Sequence, residues 1–386
     1  MANTILRHSS RFRELEISED VPDPAFDDHL RCALEKPMHY LHSLTIARHV
    51  EESNQTFIMP DAPSLHCIHL INTPTSFNTF NLSTITELEL SCDNASEGFT
   101  YELLCLLRDM QSLKSLITNS ETTPLQLPTA SIPFTEDVRL PYLKTMRLSG
   151  TLYHCAYIAL SVEIPTSCFC SIICTGLNRR QRSNLPLMSA AIINVLSGCR
   201  APEALIISIS RYRFEISVVE DDTTLAEHVM EFEFGWNSDF RDDAKAYFTS
   251  PFGNQFLRSV KHLQLGIGIT KNIQLDTSLH ALIFPCINMQ TLELIGGDSV
   301  GILFSFIQSH GDRASKLLPA LQALVITGLK SYHFKPKEVD SRILSFIKWR
   351  SDIGLPFKSI RFSGNRFRMQ PLVDQLAQIE GLEVKL

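Results

Sequence analysis

No apolar run in this sequence reaches the roughly 18 residues that a membrane-spanning helix needs. The most apolar region, Tyr157 to Leu177, is broken by Glu163 and Pro165, so no membrane partner is expected. An excess of positive charge is also missing. The 35 Lys and Arg face 42 Asp and Glu, a formal net charge of −7, which gives no global attraction to nucleic acid or anionic lipid. The opening MANTILRHSSRFRE has no apolar core for a secretory signal and mixes its arginines with glutamate, unlike a transit peptide. Ten cysteines in that setting read as reduced thiols and an intracellular location, cytoplasm or nucleus. The sequons at Asn54 and Asn81 are then chance matches.

Motifs of chemistry are equally scarce. There is no G-x-S-x-G, no Walker loop and no G-x-G-x-x-G, and no cysteine lies in an activating motif. The tightest cysteine cluster, CFCSIIC, places Cys168, Cys170 and Cys174 near Cys155. Zinc needs about four converging ligands, usually in C-x₂-C pairs, and no second pair follows, so buried structural thiols are expected. In LHCIHL, Cys67 and His69 share one face of a strand while His66 points the other way, and the three cannot readily meet at one ion. The pair His39 and His42 is no stronger. GIGI (266–269) and GGD (296–298) read as tight turns leaving strands. EDD (220–222) and RDD (241–243) lack EF-hand flanks and read as solvated loops. Lys348, Arg350, Lys358, Arg361, Arg366 and Arg368 suggest a local positive surface without a nucleic-acid motif. The expectation is a non-enzyme with no cofactor, no metal and no nucleic-acid partner.

What the sequence does contain is a repeated phrase. With 44% hydrophobic and 20% charged residues it can fill a core, and its 386 residues exceed one ordinary core, so it holds several domains or a repeat array. The pattern apolar-x-x-apolar-x-apolar occurs at Phe12/Leu15/Ile17, Leu41/Leu44/Ile46, Leu65/Ile68/Leu70, Ile85/Leu88/Leu90 and Leu143/Met146/Leu148. It recurs at Val260/Leu263/Leu265, Met289/Leu292/Leu294, Leu321/Leu324/Ile326, Phe357/Ile360/Phe362 and Ile379/Leu382/Val384. The spacings carry more weight than the pattern: most steps are 20 to 36 residues, with two larger gaps. Weaker copies at Leu113/Leu116/Thr118, Phe169/Ile172/Cys174, Pro202/Leu205/Ile207 and Val229/Phe232/Phe234 divide those gaps into similar steps.

One short strand signal per 20 to 36 residues is the mark of a leucine-rich-repeat array. The expected fold is α/β: a solenoid horseshoe with a parallel sheet on the concave face and helices and loops on the convex face. A single array is expected over 1–386, regular in 1–150, irregular in 151–258 with a possible inserted hairpin, and regular again in 259–386. YELLCLLRDM (101–110), MSAAIINVLS (188–197), VGILFSFIQS (300–309) and SRILSFIKWR (341–350) have helical spacing. Ser250 and Pro251 suggest the start of a further helix. Arg211 to Val219 alternates, with Phe214, Ile216 and Val218 on one side, and predicts the inserted strand. Alternation turns the leucines of L-x-L inward and the residues between them outward. The candidate partner-binding residues on that face are Glu87, Glu89, Thr145, Arg147, Gln264, Glu293 and Arg361.

Three stretches carry a resemblance: ILRHSSRFRELEIS, LPYLKTMRLSGTLYHCAYIALSVEIPTSCFCSIICTG and ILSFIKWRSDIGLPFKSIRFSG. In order and type, the chain resembles the leucine-rich-repeat region of F-box proteins of mushroom-forming fungi. That resemblance implies the substrate-binding part of a ubiquitin-ligase receptor, acting on a protein partner that the sequence does not name. The Leu-Pro-x-Glu-type phrase that opens an F-box is not found near Met1. A ligase adaptor is therefore expected as a partner only if an F-box exists elsewhere. The competing expectations are a degenerate copy without a ligase role and an enzyme with a scattered active site.

Overall fold

The computed structural model describes residues 8, 11–19, 24–48, 57–73, 75–76, 82–92, 99–120, 138–177, 183–197, 202–210, 213–219, 228–236, 254–268, 276–310, 317–328, 335–363 and 366–386. The chain is α/β and divides into two compact units, one of residues 1–175 and 190–198, the other of 176–189 and 199–386.

In the first unit, β1 (Glu14–Glu19), β2 (Ser43–Arg48), β3 (Cys67–Ile71), β4 (Glu87–Cys92), β5 (Ser115–Ser120), β6 (Thr145–Gly150) and β7 (Phe169–Leu177) pair in chain order. Every pairing is parallel. Alternate residues fall into buried rows. Leu15, Leu44, Ile68, Leu88, Leu116, Met146 and Cys170 form one row, with Ile17, Ile46, Leu70, Leu90, Thr118, Leu148 and Ile172 beside it. None of these is more than 6% exposed.

A second device fixes the register. In five phrases of this unit the first apolar residue donates its N–H to the carbonyl three residues upstream: Leu41 to Met38, Leu65 to Ala62, Ile85 to Leu82, Leu113 to Met110 and Leu143 to Leu140. The carbonyl just before β1 to β5 then accepts two N–H groups from the next repeat, as His66 does from Thr86 and Glu87 and Lys114 from Lys144 and Thr145. A slip of one residue would break both bonds and turn the leucines to solvent.

Helices α1 (Pro24–Leu34), α2 (Phe99–Asp109) and α3 (Leu152–Ser161) belong to this unit, and α4 (Leu185–Ser197) contributes to each unit. The Thr151 hydroxyl caps α3 by accepting from the His154 N–H at 3.2 Å.

The second unit holds β8 (Ala204–Ser210), β9 (Arg213–Val219), β10 (His228–Trp236), β11 (His262–Gly268), β12 (Thr291–Ile295), β13 (Ala323–Thr327), β14 (Ser359–Ser363) and β15 (Glu383–Lys385). Their spatial order is β10-β9-β8-β11-β12-β13-β14-β15. From β8 through β15 the pairing is parallel. β9 is antiparallel to both β8 and β10, which is the inserted strand that the alternation at Phe214, Ile216 and Val218 predicts. Its helices are α5 (Asn254–Arg258), α6 (Asp276–Ile283), α7 (Gly297–Ser309), α8 (Pro336–Asp352) and α9 (Arg366–Leu376). The four helical segments predicted from spacing coincide with α2, α4, α7 and α8.

The irregular third corrects several expectations. Val229/Phe232/Phe234 does not stand between Pro202/Leu205/Ile207 and Val260/Leu263/Leu265. β8 pairs directly with β11, and β10 lies two strands away because the chain doubles back through β9. Phe169 does not face the core: it stands opposite Thr145, and β7 pairs Cys170 with Met146 and Ile172 with Leu148, two residues from the assumed register. Gly266 and Gly268 lie inside β11 rather than in a turn. Gly296 does turn the chain, at φ 84° ahead of α7. Asn54, Asn81, Ser250, Pro251, EDD (220–222) and RDD (241–243) lie outside the described residues.

Candidate functional site

The outward side chains of each sheet are the candidate surface, because their inward neighbours are committed to the core. In the first unit, Glu87 and Glu89 on β4 and Thr145 and Arg147 on β6 share one face. The row Cys67, Glu87, Ser115, Thr145, Phe169 runs beside the row His69, Glu89, Ile117, Arg147, Ser171. Glu87 and Arg147 are exposed, while Glu89 and Thr145 are half-buried.

The Glu89 Oε2 lies 3.9 Å from His69 Nδ1. The Arg147 guanidinium stands 5.6 Å over the Phe169 ring, a cation–π contact that also covers an outward aromatic. Burial pushes the Cys67 thiol up, helped by the charge of Glu87, by its hydrogen bond with that carboxylate and by Glu14. A thiol held protonated in this way is a poor nucleophile. His66 precedes β3, is exposed, and stands 5.8 Å from the His42 ring.

In the second unit, Gln264 stands directly opposite Glu293, and Val325 separates Glu293 from Arg361. All three candidates line one concavity of about 630 Å³, together with His262, Ala323 and Ser359. Small side chains at Ala204, Ala323 and Ser359 leave the floor open. Desolvation raises the Glu293 carboxyl, opposed by a hydrogen bond from Thr327. At the neighbouring insert, Arg213 pairs with Glu215 and, at 2.7 Å, with Glu233.

The seven candidates thus fall into two groups, four on the first unit's outward face and three around the second unit's concavity. Alternation also points outward at Ile117, Ile295 and Val325, but a search for polar side chains passes over them.

The other motifs resolve as structure. Cys155, Cys168, Cys170 and Cys174 are fully buried. Burial first, then a hydrogen bond with Cys155, pushes the Cys174 thiol up. Among the described residues no group of three or more His, Cys, Asp or Glu is placed to hold a metal ion, and no helix is long and apolar enough to cross a membrane. Arg350 does not belong to a positive surface: it is 1% exposed. Its guanidinium donates to the carbonyls of Leu355, Leu318 and Leu321 at 3.1, 3.2 and 2.9 Å. No protein-family model and no curated protein matches the chain.

Proposed function

We propose that the chain is a leucine-rich-repeat solenoid that works, without catalysis, as an intracellular protein-recognition module. The observation that carries this reading is the separation of roles within each strand. The L-x-L positions are locked in buried rows, while the residues between them form a half-buried to exposed face of mixed chemistry. A stiff sheet with a free, varied face suits recognition, because side chains can change there without disturbing the core. Glu87, Glu89, Thr145 and Arg147 form one recognition patch and Gln264, Glu293 and Arg361 another. The resemblance to the repeat region of fungal F-box proteins supports a role as the substrate-binding part of a ubiquitin-ligase receptor.

Affinity capture of the tagged full chain from its native cells, followed by mass spectrometry, tests this. A stoichiometric protein partner is expected. Cullin and adaptor subunits in the catch would extend the reading to a ligase. A chain that captures no protein but turns over a co-purifying small molecule would sink it.

A further inference from the structure

Gly266 occupies an interior position of β11, between Ser208 on β8 and Ile295 on β12. Glycine weakens a strand, and in a strand interior it marks a bulge, a bend or the close approach of another group. Here the pairing on both sides of Gly266 runs without a register shift, so there is no bulge. Its backbone needs no positive φ. Nor is there crowding among the described residues: a Cβ would meet Ile295 Cβ at 3.8 Å, Ile207 O at 3.9 Å and Ser208 Oγ at 4.0 Å, which is ordinary van der Waals contact. Among the described residues, no contact or backbone angle requires glycine at this position.

The surroundings match a missing neighbour. Ile295, on the adjoining strand, leaves 41% of its surface exposed on the outward face. One row away, Glu293 holds a half-buried carboxylate at the edge of the concavity. Its partners in the sheet rows are the neutral Gln264 and Val325. Among the described residues no ion pair involves Glu293, and the Thr327 hydroxyl alone supports its charge. A partly desolvated anion without a cation is costly unless a partner supplies one. A notch walled by Ile295 on one side and the Ser208 hydroxyl on the other, beside such an anion, can take an apolar side chain next to a cationic one.

We propose that the outward face of the second unit receives a polypeptide segment of a partner protein, with an apolar side chain over Gly266 against Ile295 and a lysine or arginine against Glu293. The proposal rests on the recognition reading and adds the chemistry of the ligand. Ile295 and the Gly266 notch supply the desolvated anchor that concentrates binding energy at interfaces. Glu293 supplies the charge selection.

A phage-displayed library of random dodecapeptides, selected against the purified full chain, provides the probe. Enriched peptides should carry Lys or Arg within a few residues of a large aliphatic or aromatic residue. Gly266→Leu, which fills the notch, and Glu293→Gln, which removes the charge, should each weaken their binding by about tenfold or more. Gly266→Ala should have a smaller effect, and Arg139→Glu, on an exposed pair of the first unit outside the main sheet, none. Melting curves matching the parent chain are required of all four variants, and Glu293→Gln alone decides the matter if Gly266→Leu fails to fold. Peptides without basic residues, peptides that bind both variants as well as the parent, or no enrichment at all would each overturn the inference. Peptides lost only with Arg139→Glu would overturn it while leaving protein recognition standing. The recognition reading itself falls only if the capture experiment also fails.

Discussion

At position 118 a threonine stands where neighbouring strands carry leucine or isoleucine, and His154 is the reason. The imidazole lies between the hydroxyls of Thr100 and Thr118, at 2.9 Å from Nδ1 and 3.1 Å from Nε2, and stacks on Phe99 at 5.8 Å. A neutral ring satisfies both hydroxyls by donating through one nitrogen and accepting through the other. Burial lowers its pKa from an ordinary 6.5 to about 4. Between these values the unfolded chain binds a proton that the fold excludes. This one contribution to stability is full above 6.5, falls as the pH drops through this window, and is gone near 4. The difference corresponds to about 3 kcal/mol. Urea unfolding of the native chain and of His154→Gln, compared at several pH values across that window, should show the steeper loss in the native chain; parallel curves would refute the assignment. Arg350 is another buried ionisable group, lowered to about 10 by burial yet still charged at neutral pH. Truncation to alanine should cost about 3 kcal/mol, because three carbonyls lose a charged donor at once. Neither group was legible in the sequence: His154 looks like any helical histidine and Arg350 like one more surface cation. Their partners come from distant repeats, and only the packed fold brings them into reach.

Within single elements, the repeat was more legible than its ends. The apolar-x-x-apolar-x-apolar phrase marked most strands of both units because inward alternation is imposed by burial, but it is two residues out of register at β7 and at β15, where Val384 rather than Leu382 stands opposite Ile360. One further position was readable but missed. Three residues before most of the phrases stands another buried apolar residue, as at Met38, Ala62, Leu82, Met110 and Leu140, whose carbonyl closes the turn into the strand; Gly354, before Phe357, is an exception. Adding it would have rejected Phe169/Ile172/Cys174, where β7 is entered by the bond from Cys168 N–H to Pro165 O. Glycines divide in the same way. At Gly150, φ is 127° and any Cβ would overlap the Ser120 carbonyl oxygen, so Gly150→Ala should lower stability by about 2 kcal/mol or more. Gly266→Ala should leave the melting temperature nearly unchanged, since its Cβ meets only ordinary contacts. Equal losses at the two positions would contradict this account of the strands. The thiols sort by element as well. Cys155, Cys168, Cys170, Cys174 and Cys286 are buried, and Cys32 is exposed. Burial pushes Cys286 up to about 12, so in native protein Cys32 should be labelled by a thiol reagent well before Cys286. Equal labelling rates would refute the buried placement.

For the whole molecule, the question is which face meets a partner, and core and face should separate by their responses to mutation. Leu88, Leu90, Leu292 and Leu294 are buried, so replacing one by alanine should cost about 2 to 5 kcal/mol through lost burial and a residual cavity. Glu89 and Glu293 alternate with them on the outward side, where truncation usually changes stability by no more than about 0.5 kcal/mol. Charge reversal on that face should therefore test recognition without disturbing the fold. Glu89→Arg places a cation beside His69, and Arg147→Glu removes the cation over Phe169. If the sheet face is the recognition surface, each should weaken capture of the partner through lost charge complementarity while the melting temperature holds. The matching control is Arg139→Glu, on the short strand away from the main sheet, where Arg139 Nε and Glu163 Oε2 form an exposed pair at 3.2 Å. An exposed pair of this kind contributes about 0 to 1 kcal/mol, so its loss should change neither stability nor capture by much. Capture that survives the sheet-face reversals but fails with Arg139→Glu would place the interface on the helical and loop side.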